Sequence, residues 1–362
     1  MFSKLSGFVR QHKKKILFGG GFIAGAYLLN HFLRRKLDEW HNQQTQSYLD
    51  HLKHQHHFEG ILQTSDSTIL SLLPKIREPL LQILETESLL EKLKARPHNR
   101  LEIWEEMKAR ILAFAVCSVY AESLLATLLR VQLGVIGGYV YVNTQRQAQD
   151  TGGALPALTN QETHQLYLSL VQYFFDSGIE ELVRVVKVAV VTAFGHVSLK
   201  ERVSTNDFAI AFDYIKEHLA RDGNPLPGFV SFLLPPPNAE HEAEVSPVLR
   251  SMVLETRDIL ETEDFSKVLS ACIDMGFSSL RSEVETSIRI MQDAESERPS
   301  TSFPLARLLP VLKSCIVAGR RDTFVKEVLQ SDLLHSMLAN VYEAFCQTEN
   351  VDRVNHNLAP FS

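Results

Sequence analysis

The sequence predicts an all-α protein, a single large helical bundle in the cytosol preceded by an N-terminal transmembrane helix. Three observations carry this. Apolar residues recur at helical spacing in segment after segment from about residue 37 onward. The 362 residues, 45% of them hydrophobic and 22% charged, are enough to bury a substantial core. Residues 16–33, ILFGGGFIAGAYLLNHFL, carry no formal charge apart from the titratable His31 and are fenced by HKKK before and RRK after.

That stretch spans about 27 Å as a helix at about 1.5 Å per residue, enough for a bilayer's hydrocarbon core. Gly21 and Gly25 form a GxxxG spacing that lets another helix approach. A cleaved signal peptide would end in small residues, and RRK follows instead. A dinucleotide-binding turn at Gly19, Gly21 and Ala24 or Gly25 would need a second strand ending in an acid, and the next segment is polar and helix-like. Residues 34–45 then read as a juxtamembrane linker. Charge bias by itself would keep the N-terminus cytosolic, because five cations precede the span and three follow it directly.

The charge is strongly asymmetric. Residues 1–36 carry eight cations and no acid, which leaves −14 on the rest of a chain whose total is −6. An acidic body repels phosphate backbones, so no nucleic-acid partner is expected, while the basic apolar leader suits membrane lipids.

In the body, 46–350, Asp66 or Ser67 can cap a helix over 66–95 that Pro74 and Pro79 should kink or break. Residues 101–133 read as a long helix whose apolar second half belongs at the centre of the bundle. The segment 134–142, GVIGGYVYV, is undecided between helix and strand. A loop is expected near 143–160, with Thr159 and Glu162 opening the next helix as a capping box. VRVVKVAVV at 183–191 has strand composition but helical spacing, and is read as helix. Six of the fourteen prolines fall in 221–247, expected to be a mobile loop, and the acidic stretch 292–302 is a further one. Residues 351–362 form a polar tail. No second apolar run of membrane length is read in the body, which is therefore expected to fold as a soluble unit.

Chemistry-bearing motifs are sparse. There is no GxSxG, HExxH or GxxxxGK[ST], so neither catalytic residues nor cofactors are expected. Cys117, Cys272, Cys315 and Cys346 have no zinc or disulfide spacing and read as buried thiols in a reducing compartment. His51, His54, His56 and His57, with Glu59, offer an i,i+3 metal pair on paper, but polar neighbours favour a solvated helix face, and no metal is expected. Trp104 aligns with Leu101, Ile111 and Ala115 as readily as with Arg100 and Met107, so periodicity leaves it open between core and surface.

Longer strings say more. HKKK before the short anchor, HFE at 57–59, LEIWE at 101–105, LLRVQLGVIGGYVY at 128–141 and VSLK at 197–200 run in one order with ETRDILE at 255–261, DFSKVL at 264–269, GFS at 276–278, PLARLLP at 304–310 and NVYEAF at 340–345. Together they resemble the peroxisomal biogenesis factor 3 (peroxin-3) family from end to end. The resemblance implies a single-pass peroxisomal membrane protein with residues 1–15 facing the matrix, opposite to the charge bias. Arg10, Lys13, Lys14 and Lys15 would act in targeting. The cytosolic bundle would dock the farnesylated soluble receptor for newly made peroxisomal membrane proteins, peroxin 19. An amphipathic receptor helix would lie in an apolar groove centred on Trp104 and flanked by Leu93, Lys94, Arg100, Met107, Pro304 and Arg307, of which Arg100, Met107 and Arg307 stand where the family carries Lys, Leu and Lys. A nucleotide-dependent enzyme using the Gly-rich leader, or a generic membrane tether, are the alternatives.

Overall fold

The computed structural model describes residues 46–83, 85–95, 98–149, 159–236, 246–294, 301–317 and 322–346. The expected anchor at 16–33, the basic residues Arg10, Lys13, Lys14 and Lys15, the linker 34–45 and the tail 351–362 lie outside them.

The bundle is built around one element. Helix α1 is Gln46–Ile83, α2 is Glu87–Lys94 and α3 is Arg100–Gln149. At 50 residues α3 is about 75 Å long, and every residue from Ile111 to Val140 is buried. It fulfils the expectation of a central helix. It also corrects the reading that the body lacks a second apolar run of membrane length, since Arg100–Gln147 holds an 18-residue window long and apolar enough to cross a bilayer. That window is wholly covered by protein, so α3 is the axis of the core.

The other elements wrap this axis. After α4 (Gln161–Leu168), a short α5 (Val171–Tyr173) runs through a π turn, Phe174–Gly178, into α6 (Ile179–Phe194). Helices α7 (Thr205–Leu219), α8 (Val230–Leu233), α9 (Pro247–Leu260), α10 (Glu263–Ala294), α11 (Leu305–Val317), α12 (Asp322–Leu329) and α13 (Asp332–Cys346) follow. Strand β1 (Arg202–Ser204) pairs antiparallel with β2 (Ser302–Pro304), with Val203 opposite Phe303. Helices α1, α6, α10 and α13 pack directly on α3. The helical reading of 183–191 holds: Leu182, Val183, Val186, Ala189 and Val190 face the core from α6.

Several local expectations give way to tertiary contacts. Asp66 does not cap a helix. It lies inside α1, where its carboxylate accepts from Arg130 Nη2 at 2.5 Å. Arg130 is fully buried on α3 and also donates to the carbonyls of Leu329 at 3.1 Å and Leu62 at 3.4 Å, tying α1, α3 and α12 together. Pro74 and Pro79 both sit within α1 without ending it. A helix packed along a neighbour tolerates the loss of two backbone donors that an isolated one would not.

The undecided segment 134–142 is helix, and its glycines are what α13 and α1 close upon. A Cβ at Gly138 would come within 2.2 Å of Phe345 Cβ, and one at Gly137 within 2.2 Å of Ile61 Cδ1. Helix α3 then runs to Gln149, into the expected 143–160 loop. The next helix is capped by Asn160, whose side chain accepts from the Thr163 amide at 2.8 Å. Thr159 is buried instead, with its Oγ1 2.8 Å from His164 Nε2. The Pro-rich 221–247 segment contains α8, and its Leu226, Phe229, Phe232 and Leu233 join the core. The stretch expected as a loop at 292–302 begins with the last turn of α10 and ends in β2.

The histidine face is corrected as well. His57 is only 4% exposed, with Nδ1 2.8 Å from Tyr342 Oη. His54 is half-buried, 3.2 Å from Glu343, and its ring lies 4.9 Å from Tyr141 and 5.0 Å from Tyr342. The polar neighbours in sequence point elsewhere on the helix, and α13 covers this side. Cys117 and Cys272 are buried free thiols, and burial pushes Cys272 up to about 12. Cys346 is half-buried against the core, and the Cys315 side chain lies outside the described residues.

Candidate docking face

The N-terminal end of α3 is where the buried axis meets the surface. Helix α2 stops after two basic residues in its last turn, Lys92 and Lys94, which complement the helix dipole. A short connection leads to α3, with Asn99 Nδ2 donating to Glu102 Oε2 at 3.3 Å. Five of the seven expected residues lie on α2 and the first two turns of α3. Leu93 is half-buried and Lys94 exposed on α2. On α3, Arg100 is exposed, Trp104 is half-buried against the core, and Met107 is 4% exposed and belongs to the core itself.

Trp104 therefore resolves between its two readings as a residue at the core's edge. Apolar surface is left open on the same two helices: Leu101 is 69% exposed and Leu90 39%. From the sequence Leu101 reads only as a core-period neighbour of Trp104 and Leu90 is not distinguished, because a Leu at helical spacing looks like core whether or not a neighbour covers it.

The other two expected residues come from across the fold. Pro304, half-buried, ends β2, and Arg307, exposed, lies in the first turn of α11. The Leu305 and Ala306 amides donate to the carbonyls of Glu201 and Leu199, each at 2.9 Å. The segment supplying those carbonyls is in turn held to α3: Lys108 Nζ donates to the carbonyls of Phe194 at 3.0 Å and Val197 at 2.8 Å. Hydrogen bonds through residues 194–201 thus link the β2–α11 junction to α3 one turn past Trp104.

Beyond Met107 the same stripe of α3 continues into a groove of about 860 Å³ between α1, α3 and α11. Pro74, Leu81, Ile111 and Phe114 give it an apolar floor, and Arg77, Arg110 and Lys313 stand at its edges with Glu78 and Glu85. Ile111 and Phe114 follow Trp104 by seven and ten residues, which places them on one helical face. None of the seven expected residues lines this groove. Its cations are engaged: Lys313 Nζ donates to Thr86 Oγ1 at 2.7 Å, and Arg110 Nε to Glu106 Oε1 at 2.8 Å. Glu106 also accepts from Lys187 at 2.9 Å. Burial pulls the Glu106 pKa up, but the hydrogen bonds and charges of Arg110 and Lys187 outweigh it and hold the group below its ordinary value. Its charge is spent internally, while Lys94, Arg100 and Arg307 are exposed.

Among the described residues no three His, Cys, Asp or Glu side chains could share a metal ion. The sheet among them is a two-stranded antiparallel ladder.

Comparison with known proteins gives the family. The family model described as Peroxin-3 matches residues 7–101 and 95–344. The chain is 33% identical to Peroxisomal biogenesis factor 3 of Bos taurus over 376 residues, and 33% identical to that of Homo sapiens over 377, covering 98% of this chain and 100% of each relative. Peroxisome biogenesis protein 3-1 of Arabidopsis thaliana is 23% identical over 326 residues, 85% of this chain and 88% of that protein.

Proposed function

The chain belongs to the Peroxin-3 family, and from that premise we propose that it is the peroxisomal membrane docking receptor for peroxin 19, the soluble carrier of newly made peroxisomal membrane proteins. Its role lies in peroxisome biogenesis and the assembly of the peroxisomal membrane, and its family is not one of enzymes. In the proposed arrangement residues 16–33 cross the membrane once, the basic residues Arg10, Lys13, Lys14 and Lys15 direct the chain to the organelle, and the bundle faces the cytosol.

The observation that carries the docking reading is the uncovered apolar corner at the start of α3. Leu90 and Leu101 are exposed and Leu93 and Trp104 only partly buried, whereas every α3 residue from Ile111 to Val140 is inside. An amphipathic helix laid across that corner buries its apolar side chains on Leu93, Trp104 and Leu101 and meets Lys94, Arg100 and Arg307 with acidic ones. A half-buried tryptophan with a firm backing is suited to anchor it, because Met107 below is fixed in the core and cannot give way.

The test is Trp104→Ala in the full chain, titrated with the N-terminal segment of peroxin 19. Affinity should fall tenfold or more, corresponding to about 1.4 kcal/mol, while unfolding stability drops by less than the roughly 3 to 5 kcal/mol of a fully buried tryptophan, because the ring is only partly buried. Unchanged affinity in a folded variant removes Trp104 from the docking face. A loss of about 3 kcal/mol or more in stability returns it to the core.

A further inference from the structure

The two sides of the docking corner come from residues about 200 apart in sequence, and the fold shows what sets their spacing. Lys108 is 3% exposed, one turn beyond Trp104. An ammonium so deeply placed must be compensated on every side. It is: Nζ donates to the Phe194 and Val197 carbonyls, and Glu105 Oε2 lies 2.5 Å away. Phe194 is the last residue of α6 and Val197 lies in the turn after it. The Phe194 carbonyl, at the negative end of the α6 dipole, also accepts from the Val197 amide at 3.1 Å, and the lysine reaching in from α3 adds a charged donor to it.

The same segment passes the constraint on. Its Leu199 and Glu201 carbonyls accept from the Ala306 and Leu305 amides, and Arg202–Ser204 pairs with Ser302–Pro304. Residues 194–204 therefore form a strap, fixed at one end by Lys108 and at the other by the junction that carries Pro304 and Arg307. Val197 and Leu199 also pack on the core, so the strap has apolar anchorage that does not depend on the lysine.

We propose that Lys108 is a positioning residue for docking, which sets the distance of Pro304 and Arg307 from the Trp104 face by clamping this strap to α3. The proposal rests on the docking reading above. Without the ammonium the strap stays seated by Val197 and Leu199 but loses its register, and the junction moves with it.

Hydrogen exchange separates this from a general packing role. In the full chain held in lipid nanodiscs, Lys108→Met should raise amide exchange at Leu305 and Ala306 by about tenfold or more, while the interior of α3 and all of α13 keep their protection. Affinity for the N-terminal peptide of peroxin 19 should fall about fivefold or more with Trp104 unaltered. Lys108→Arg, which restores a buried cationic donor, should recover both. Unchanged exchange at Leu305 and Ala306 in Lys108→Met, alongside normal wild-type binding, refutes the proposal alone, and so does a uniform rise across the whole bundle. A wild-type chain that does not bind the peptide refutes the docking reading and the proposal with it.

Discussion

Replacing His57 with asparagine should make the protein less stable at neutral pH and more stable in acid. The His57 ring sits between Tyr141 and Tyr342, with both centroids 5.6 Å away, and its Nδ1 is 2.8 Å from Tyr342 Oη. Its Nε2 is buried and has no hydrogen-bond partner among the described residues. Protonation would place a second N–H in that dry space, beside His54. Burial, assisted by the His54 charge, lowers the pKa from 6.5 to about 3. Between those values the unfolded chain binds a proton that the folded chain refuses. Stability from this group is therefore full above about pH 6.5 and is lost as pH falls toward 3.

At about 1.36 kcal/mol per pH unit the loss reaches roughly 2 to 3 kcal/mol by about pH 4.5, a large share of an ordinary domain's 5 to 15. Other groups titrate in the same range. His164, lowered to about 4 by burial, adds to the trend. Glu255, raised to about 7 chiefly by burial, opposes it between about 4.5 and 7, because there the folded state binds the extra proton. Comparing variant with wild type removes both contributions. Asparagine keeps a polar atom near the Nδ1 position for Tyr342 but leaves part of the ring volume empty, at a cost of roughly 1 to 2 kcal/mol at about pH 7.5. Urea unfolding of both proteins across about pH 4.5 to 7.5 should give curves that cross. Parallel curves would falsify the buried neutral histidine.

Two further outcomes are expected. Gly138→Ala should destabilise the bundle by roughly 1 to 3 kcal/mol despite alanine's better helix propensity, because its Cβ would press on the Phe345 backbone at 2.9 Å and force α13 away. A calorimetric melting temperature at or above wild type would show that the helices part without cost. A reporter fused to residues 1 to 40 should reach the peroxisomal membrane, since the cation cluster and the N-terminal apolar span both lie there. A reporter that stays in the soluble fraction counts against that segment as anchor and address.

What the sequence determined by itself was everything written in a local period or a long string. The 3.6-residue spacing of α6 survived its strand-like composition, and the unbroken apolar half of α3 marked it as the axis. The matching strings from HKKK to NVYEAF pointed to the family on which the docking residues depend. What the tertiary structure alone decided was which side of each helix meets a partner. Asp66 carries the same side chain whether it caps a helix or pairs with Arg130 across the core, and only the approach of α3 selects the second. His57 looks solvated beside its polar neighbours until α13 covers it. GVIGGYVYV is ambiguous until Phe345 and Ile61 occupy the space its glycines leave. At the start of α3, Met107 and Leu101 are both apolar residues on one helix, yet one is inside and the other 69% exposed. Periodicity records that an apolar face exists, while burial depends on elements about 100 to 250 residues away in the chain, and their placement is a property of the fold.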